Sequence, residues 1–392
     1  MDPEAFRKSP SGRLVPTIGG AQAFIPNSLP PRVSFTPDLV SALSEADRAL
    51  GELAGLGRSL PNPHLLIRPF IRREAVLSSR IEGTVASMSG LYAFEVVQLE
   101  LFEPLPDVRE VHNYVRALEY GLERLQTLPP SLRLIRELHA RLMEGVRGEE
   151  QTPGEFRRDQ NFIGPPGCRL ADAIYVPPPA RQMQAALDAF EKYLHGSSDL
   201  PPLLRLGLIH YQFEAIHPFR DGNGRIGRLL VTLLLCSWQL LPHPLLYLSA
   251  YFEAHRQAYY DALLAVSQRG DWKEWLNFFL RGVATQARDA VGRAGRVQDL
   301  RERYRERFQK ERAAARLLQV VDLLFAYPLL TVRQVESAMG VDFSTAQRYV
   351  TKLERAQVLS EITGQGRNRV YRANEVLRAI EEPLRDNHER AE

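Results

Sequence analysis

From Thr36 onward, apolar residues recur three and four positions apart almost without a break. That period matches the 3.6-residue α-helical turn and not the two-residue repeat of a strand. In "TPDLVSALSEADRALGELAGL", Thr36 stands where an N-cap belongs and Pro37 at the first helical position, where its missing N–H costs nothing. "HLLIRPFIRREAVLSSRIEG" (His64–Gly83) reads as a second helix with Pro69 as a candidate kink. Further helices are expected at 106–126, 131–146, 180–196 and 202–216, and again after Arg225. The fold class that follows is mainly α.

Three stretches depart from this pattern. The opening "AFIPNSLPPRVSF" is proline-rich and reads as an extended surface segment. "GEFRRDQNFIGPPGCRLADAIYVPPP" (Gly154–Pro179) has two short β-like runs around "GPPG" and reads as a hairpin or flap on the helical body. Near the C-terminus, "TVRQVESAMGVDFSTAQRYVTKLERAQVL" reads as two short helices around a turn at Gly340, the second capped by Ser344. "SEITGQGRNRVYRAN" then adds two strand-like runs, the pattern of a winged helix-turn-helix. Arg348, Lys352 and Arg355 on the second helix, with Arg367, Arg369 and Arg372 on the wing, make DNA a candidate partner. Between body and wing, "GRVQDLRERYRERFQKERAAARLLQVVDLL" alternates acids and arginines three to four apart, as a solvated connecting helix does.

At roughly 150 residues per domain, 392 residues make two to three domains. We divide them as 1–105, an N-terminal extension; 106–285, a core; 286–312, a linker helix; and 313–392, the winged helix-turn-helix. A net charge of +3 does not by itself mark a nucleic-acid binder. Cys168 and Cys236 supply neither a disulfide framework nor a metal cluster. The longest apolar run, "LLVTLLLCSWQLL", is shorter than the ~20 residues that span a bilayer. With no secretory leader visible, the expectation is a cytoplasmic protein with no membrane partner.

Chemistry concentrates in "IHPFRDGNGRIGRLL" (Ile216–Leu230), which follows one helix and opens another. Gly222, Asn223 and Gly224 precede the new helix, where free backbone N–H groups and the helix dipole make an anion site. Glycines there let a phosphate approach the backbone. Arg225 and Arg228, three apart on the first turn, can clamp further phosphates, and Asp221 can hold Mg²⁺. His217 stands just before the cradle, where it can take a proton from an attacking hydroxyl. No Walker A motif and no protein-kinase set is present.

"HPFRDGNGRIGR" resembles the signature of the Fic family, H-x-F-x-[DE]-G-N-G-R-x-x-R, at every defined position. Gly154–Pro179 resembles the family's flap, and the N-terminal "AFIPNSLPP" and terminal winged helix resemble a bacterial branch. The resemblance implies a Fic-type helical core with a β-hairpin flap. It also implies transfer of AMP from ATP to a Ser, Thr or Tyr hydroxyl of a protein, with self-modification and a homodimer as family-level expectations. His217 would be the base and Asp221 the Mg²⁺ ligand. Asn223 and the amides of Gly222, Gly224 and the following Ile226 and Gly227 turn would hold the nucleotide, with Arg225 on the inner phosphates and Arg228 on the γ-phosphate. Ile163 and Gly164 in the flap would pin the target by strand addition, and Tyr251 and His255 would line the adenine slot. Family members acting as kinases have lysine where this chain has Gly224, so Gly224 favours AMP transfer. The extra domains of a phosphocholine-transferring branch are not evident.

"SSRIEG" also resembles the family's inhibitory motif, [ST]-x-x-x-E-[GN], through Ser78, Glu82 and Gly83. The resemblance implies that Glu82 pairs bidentately with Arg228 in the γ-phosphate site while Ser78 holds the helix in place. Gly83 alone would be an ordinary helix end. Two other readings stay open: a transcription regulator that senses nucleotide, and an enzyme that removes AMP with Glu82 orienting a water.

Overall fold

The computed structural model describes residues 1–60, 62–97, 106–146, 152–165, 167–310 and 314–382. The chain opens with a short helix, α1 (Pro3–Phe6), and an antiparallel hairpin, β1 (Gly12–Pro16) and β2 (Gln22–Pro26), in the register Gly12↔Pro26. The opening is therefore a hairpin followed by coil, not the wholly irregular segment its prolines suggest. Phe24 is fully buried and its N–H donates to Val176 O, which ties β2 to the far end of the flap.

The helices run α2 (Pro37–Ser59), α3 (His64–Ile81), α4 (Met88–Val97), α5 (Pro106–Arg124), α6 (Leu132–Leu142), α7 (Ala180–His195), α8 (Pro202–Ile216), α9 (Asn223–Ser237), α10 (Ser249–Ala254), α11 (Arg256–Arg269) and α12 (Trp272–Phe308). Thr36 caps α2 by accepting from Leu39 N–H, as its sequence position demands. Pro69 lies inside α3 without ending it. The expected helix at 131–146 closes at Leu142, and α4 was not expected at all: its apolar run carries only a weak helical stripe and it packs against α3, α5 and the C-terminal unit. Helices α8 and α9 form the centre, and the Leu-rich run of α9 is buried from Ile226 to Leu235. That burial is why a sequence apolar on nearly every face does not have to be a membrane span. No helix among the described residues is long and apolar enough to cross a membrane.

Helix α12 runs unbroken through residues 285 and 286, where the sequence reading divides core from linker. It packs against α2 along its first part. Further on, a seam of Ala294, Val297, Leu300, Tyr304 and Phe308 is buried. The alternating charges face outward from that seam, and Arg301 makes two hydrogen bonds to Asp322, so this segment is packed and not merely a connector.

The C-terminal unit comprises α13 (Ala314–Ala326), β3 (Leu329–Thr331), α14 (Val332–Met339), α15 (Phe343–Arg355), β4 (Ser360–Glu361), β5 (Val370–Arg372) and α16 (Asn374–Glu381). The strands order β3-β5-β4, antiparallel throughout. Thr331 and Gln334 form a capping box, and Gly340 ends α14 in the left-handed conformation. The cap of α15 is Asp342, which accepts from Thr345 N–H; Ser344 instead donates its hydroxyl to that carboxylate. The sequence boundaries after 105 and 312 fall outside the described residues.

Candidate active site

Helix α8 ends at Ile216, and His217 closes it with φ 50° and ψ 61°. Its N–H still bonds Phe213 O, so the left-handed turn swings the imidazole away from the helix axis. Nδ1 lies 3.3 Å from Glu214 O. A carbonyl only accepts, so Nδ1 carries the proton there and Nε2 keeps its lone pair. Burial, reinforced by the Arg157 charge, pushes the imidazole down to about 4, against the opposing carboxylates of Glu82 and Asp221. At neutral pH His217 is an unprotonated base.

The loop beyond it is rigidly held. Phe219 is fully buried and stacks on His139 with ring centroids 3.7 Å apart. His139 Nε2 lies 3.0 Å from Asp221 O, and Nδ1 accepts from Gly154 N–H, so Nε2 is the donor. Asn223 grips the Phe219 peptide from both sides, Oδ1 accepting from N–H and Nδ2 donating to C=O, each at 2.8 Å. The Asn223 side chain is thus engaged with the loop in this structure.

The backbone at the start of α9 can also take an anion. Gly222 precedes α9 with φ 75° and no side chain caps the helix. The first-turn N–H groups therefore have no intrahelical acceptor. Asp221 is exposed and its Oδ1 accepts from Gly222 N–H at 2.6 Å. No group of three or more metal-ligating side chains occurs among the described residues. One exposed carboxylate suits a Mg²⁺ that arrives coordinated by phosphates and keeps its own waters, not a resident ion.

The two arginines diverge. Arg225 is buried, 3.4 Å from Glu110 Oε2 and 3.6 Å from Asp221 Oδ1, and its Nε has no partner among the described residues. Arg228, buried beneath the cradle, donates Nε to Ser78 Oγ at 2.9 Å and Nη2 to both Ser78 O and Glu82 Oε1 at 3.0 and 2.7 Å. The Glu82 contact is a single hydrogen bond, not the expected bidentate fork, because Ser78 takes the Nε edge. A Cβ on Gly224 would lie 2.4 Å from Glu82 Oε1. The carboxylate therefore sits over the backbone of the cradle itself. Burial works against its charge, yet Arg228, by proximity and hydrogen bond, holds Glu82 below the usual carboxylate range. Glu82 is the C-cap of α3, and Gly83 follows with φ 94°, so the glycine also ends the helix. Thr84 continues the docking by donating to Glu110, the Arg225 partner.

Ile226 and Gly227 lie buried in the first turns of α9. A Cβ on Gly227 would meet Glu214 Oε1 at 2.4 Å. Burial raises Glu214 to about 7, with Arg228 opposing. In the flap, one antiparallel bridge joins Ile163 to Tyr175 where two strand runs were expected, and Phe162 and Ile163 are exposed. Gly164 packs against Cys168, with room for no Cβ. Tyr251 packs on His255 and Phe278, and neither Tyr251 nor His255 bonds or stacks with a motif residue among the described contacts. Tyr260 is nearer: besides burial, the charges of Glu82 and Arg228 act on its phenol. Arg157, His139, Glu110, Glu214 and Tyr260 escaped the sequence reading, since each lies far from the motif along the chain or is a common residue on a helix.

Residues 129–235 match the Fic/DOC family, and residues 40–123 match its N-terminal region, Fic/DOC family N-terminal. Over 131 residues the chain is 35% identical to the protein adenylyltransferase Fic of Drosophila virilis, covering 32% of this chain and 25% of that protein. The protein of the same name from Drosophila grimshawi is 30% identical over 174 residues, 43% of this chain and 32% of its own length. The chain thus spans only about a quarter to a third of these relatives. The crystal structure of a Fic family protein from Desulfovibrio desulfuricans G20 superposes with a TM-score of 0.55 at 19% identity, covering 88% of this chain and 98% of that one, a likeness of fold. Residues 40–123 and 129–235 of this chain therefore carry the two Fic/DOC family segments, in a fold shared with that structure.

Proposed function

We propose that this protein is a self-inhibited adenylyltransferase that moves AMP from ATP to a hydroxyl of a protein target, itself included. The observation that carries the reading is the Glu82 carboxylate standing over the Gly224 backbone and against Arg228, where an anionic ligand would otherwise lie. His217 Nε2 takes the proton of the target hydroxyl, and the oxygen attacks the α-phosphorus. The bond to the bridging oxygen breaks and pyrophosphate leaves with the electron pair. Charge that builds on the non-bridging oxygens meets the free amides at the start of α9. Mg²⁺, held by Asp221 and the phosphates, would neutralise charge on the nucleotide. With Glu82 bound, the terminal phosphates have no place and in-line attack is blocked. The edge at Ile163 receives the target chain, in the cytoplasm on our reading.

The test is intact mass after incubation with ATP and Mg²⁺. Glu82→Gly should gain AMP and the wild type little; Glu82→Gly/His217→Ala should gain none. Label persisting without His217 would sink the mechanism. AMP lost from a modified target in a Glu82-dependent way would favour the reverse reaction.

A second reading has its own support. Arg348, Arg355, Arg367 and Arg369 are exposed on α15 and on the turn between β4 and β5, as on a winged helix that meets phosphates. Salt-dependent binding to a defined DNA, with no AMP transfer by any variant, would make the protein a nucleotide-sensing regulator.

A further inference from the structure

The carbonyls at the end of α8 have no helical partner, yet every one from Ala215 to Phe219 accepts a hydrogen bond from the flap. Tyr175 Oη donates to Ala215 O at 2.9 Å. Arg157 Nη2 reaches Ile216 O at 3.4 Å, Arg157 Nε reaches His217 O at 2.9 Å, and the Arg157 backbone N–H reaches Pro218 O at 2.9 Å. Asn161 Nδ2 reaches Phe219 O at 2.9 Å. The flap is therefore fastened to the turn that carries the base.

Arg157 is the centre of that fastening. It is 3% exposed, and among the described residues its side chain makes no bond to a carboxylate. All its side-chain bonds go to carbonyls: besides those flanking the His217 α-carbon, Nη1 meets Asp159 O at 2.8 Å and Nη2 meets Pro178 O at 2.5 Å. One planar guanidinium thus spans the start of the flap, its end, and the left-handed turn between. A non-glycine residue in that conformation costs roughly 1–2 kcal/mol and persists only where its surroundings hold it.

We propose that Arg157 is the positioning residue of the base: it holds the His217 turn and both ends of the flap as one unit, so that docking a target strand and aiming the imidazole are coupled. This rests on the adenylyltransferase reading and deepens it. The strand that receives the target cannot shift without pulling on the carbonyls either side of His217. The same placement sets a positive charge beside the imidazole. The other charged groups acting on it are Glu82 from the end of α3 and Asp221 from the loop before α9, both negative.

The experiment compares Arg157→Gln and Arg157→Lys, each in the Glu82→Gly chain. It follows self-modification rate by intact mass, ATP affinity by calorimetry, His217 titration by NMR, and exchange of the Ile163 and Ile174 amides. Both variants should lose about tenfold or more in rate, since small misplacement of a reacting group is that costly, while ATP affinity holds within about twofold. Gln, which removes the charge, should raise the His217 titration midpoint; Lys, which keeps it, should not. Flap amides should exchange faster in both. Tyr175→Phe is the control that keeps Arg157: it should speed flap exchange and leave the His217 midpoint alone. Unchanged rate and unchanged flap exchange in Arg157→Lys would overturn the proposal. So would loss of ATP binding in step with a fall in melting temperature, the sign of a merely structural role. If Glu82→Gly itself transfers no AMP, the adenylyltransferase reading fails, and the titration and exchange data still decide the part played by Arg157.

Discussion

Glu82 Oε1 lies 2.7 Å from Arg228 Nη2 and occupies the space that a Cβ on Gly224 would fill. Arg228 is buried while the Glu82 side chain is 36% exposed. The arginine belongs to the core and the glutamate is the removable half of the pair. Removing it leaves a buried cation facing an open cradle, which an anionic ligand can satisfy.

Glu82→Gly should therefore bind ATP roughly tenfold or more tightly than the wild type, within the usual range of coupling between two mutually exclusive ligands. Calorimetry with ATP and Mg²⁺ checks this. Equal affinity in both proteins would mean that the carboxylate does not compete with phosphate.

Ser78→Ala removes the acceptor for Arg228 Nε but leaves the Ser78 carbonyl and Glu82 in place. A stranded buried donor costs about 1–3 kcal/mol. Partial release is expected, with AMP incorporation between that of the wild type and Glu82→Gly. The same mass measurement ranks the three.

His217, lowered to about 4 by burial and the Arg157 charge, gives a pH prediction. A base must be unprotonated, so its activity is lost only as pH falls through its own pKa. In Glu82→Gly one of the carboxylates that raise the value is gone, which moves it further down. Since kcat/KM reports the free enzyme, it should stay within about twofold between pH 7.5 and 5.5, where an ordinary histidine of pKa about 6.5 would lose roughly tenfold.

Chelation by EDTA should leave the melting temperature of the nucleotide-free protein unchanged, because no metal-ligating cluster occurs among the described residues. It should abolish AMP transfer, and Asp221→Ala should do the same in the presence of Mg²⁺. A melting temperature that drops on chelation would indicate a structural ion instead.

Asn223→Ala tests whether that residue holds the loop. Two buried hydrogen bonds to the Phe219 peptide would go, for a loss of roughly 2–4 kcal/mol in urea unfolding. Were Asn223 only a phosphate ligand, stability would hold and ATP affinity alone would fall.

Much of this was legible along the chain because it depends on neighbours in sequence. The period of three and four set the helices, Thr36 and Gly340 marked helix ends, and glycines before Arg225 marked an anion cradle. A cap or a turn is decided within about four residues, so local pattern suffices. Where the local pattern is ambiguous, packing decides, as at α4 and at the cap of α15, where Ser344 and Asp342 stand two residues apart and the carboxylate is the acceptor.

By itself, the sequence determined the helical class, the glycine turn that opens α9, and a glutamate set before a glycine at a helix end. Only the tertiary structure sets that glutamate against Arg228, across 146 residues of chain. It also turns Asn223 inward to the loop and brings Arg157, 60 residues before His217, to the His217 carbonyl. A motif states which groups are available. Packing decides which face of each group is already taken, because a buried donor or acceptor must find a partner wherever the fold brings one.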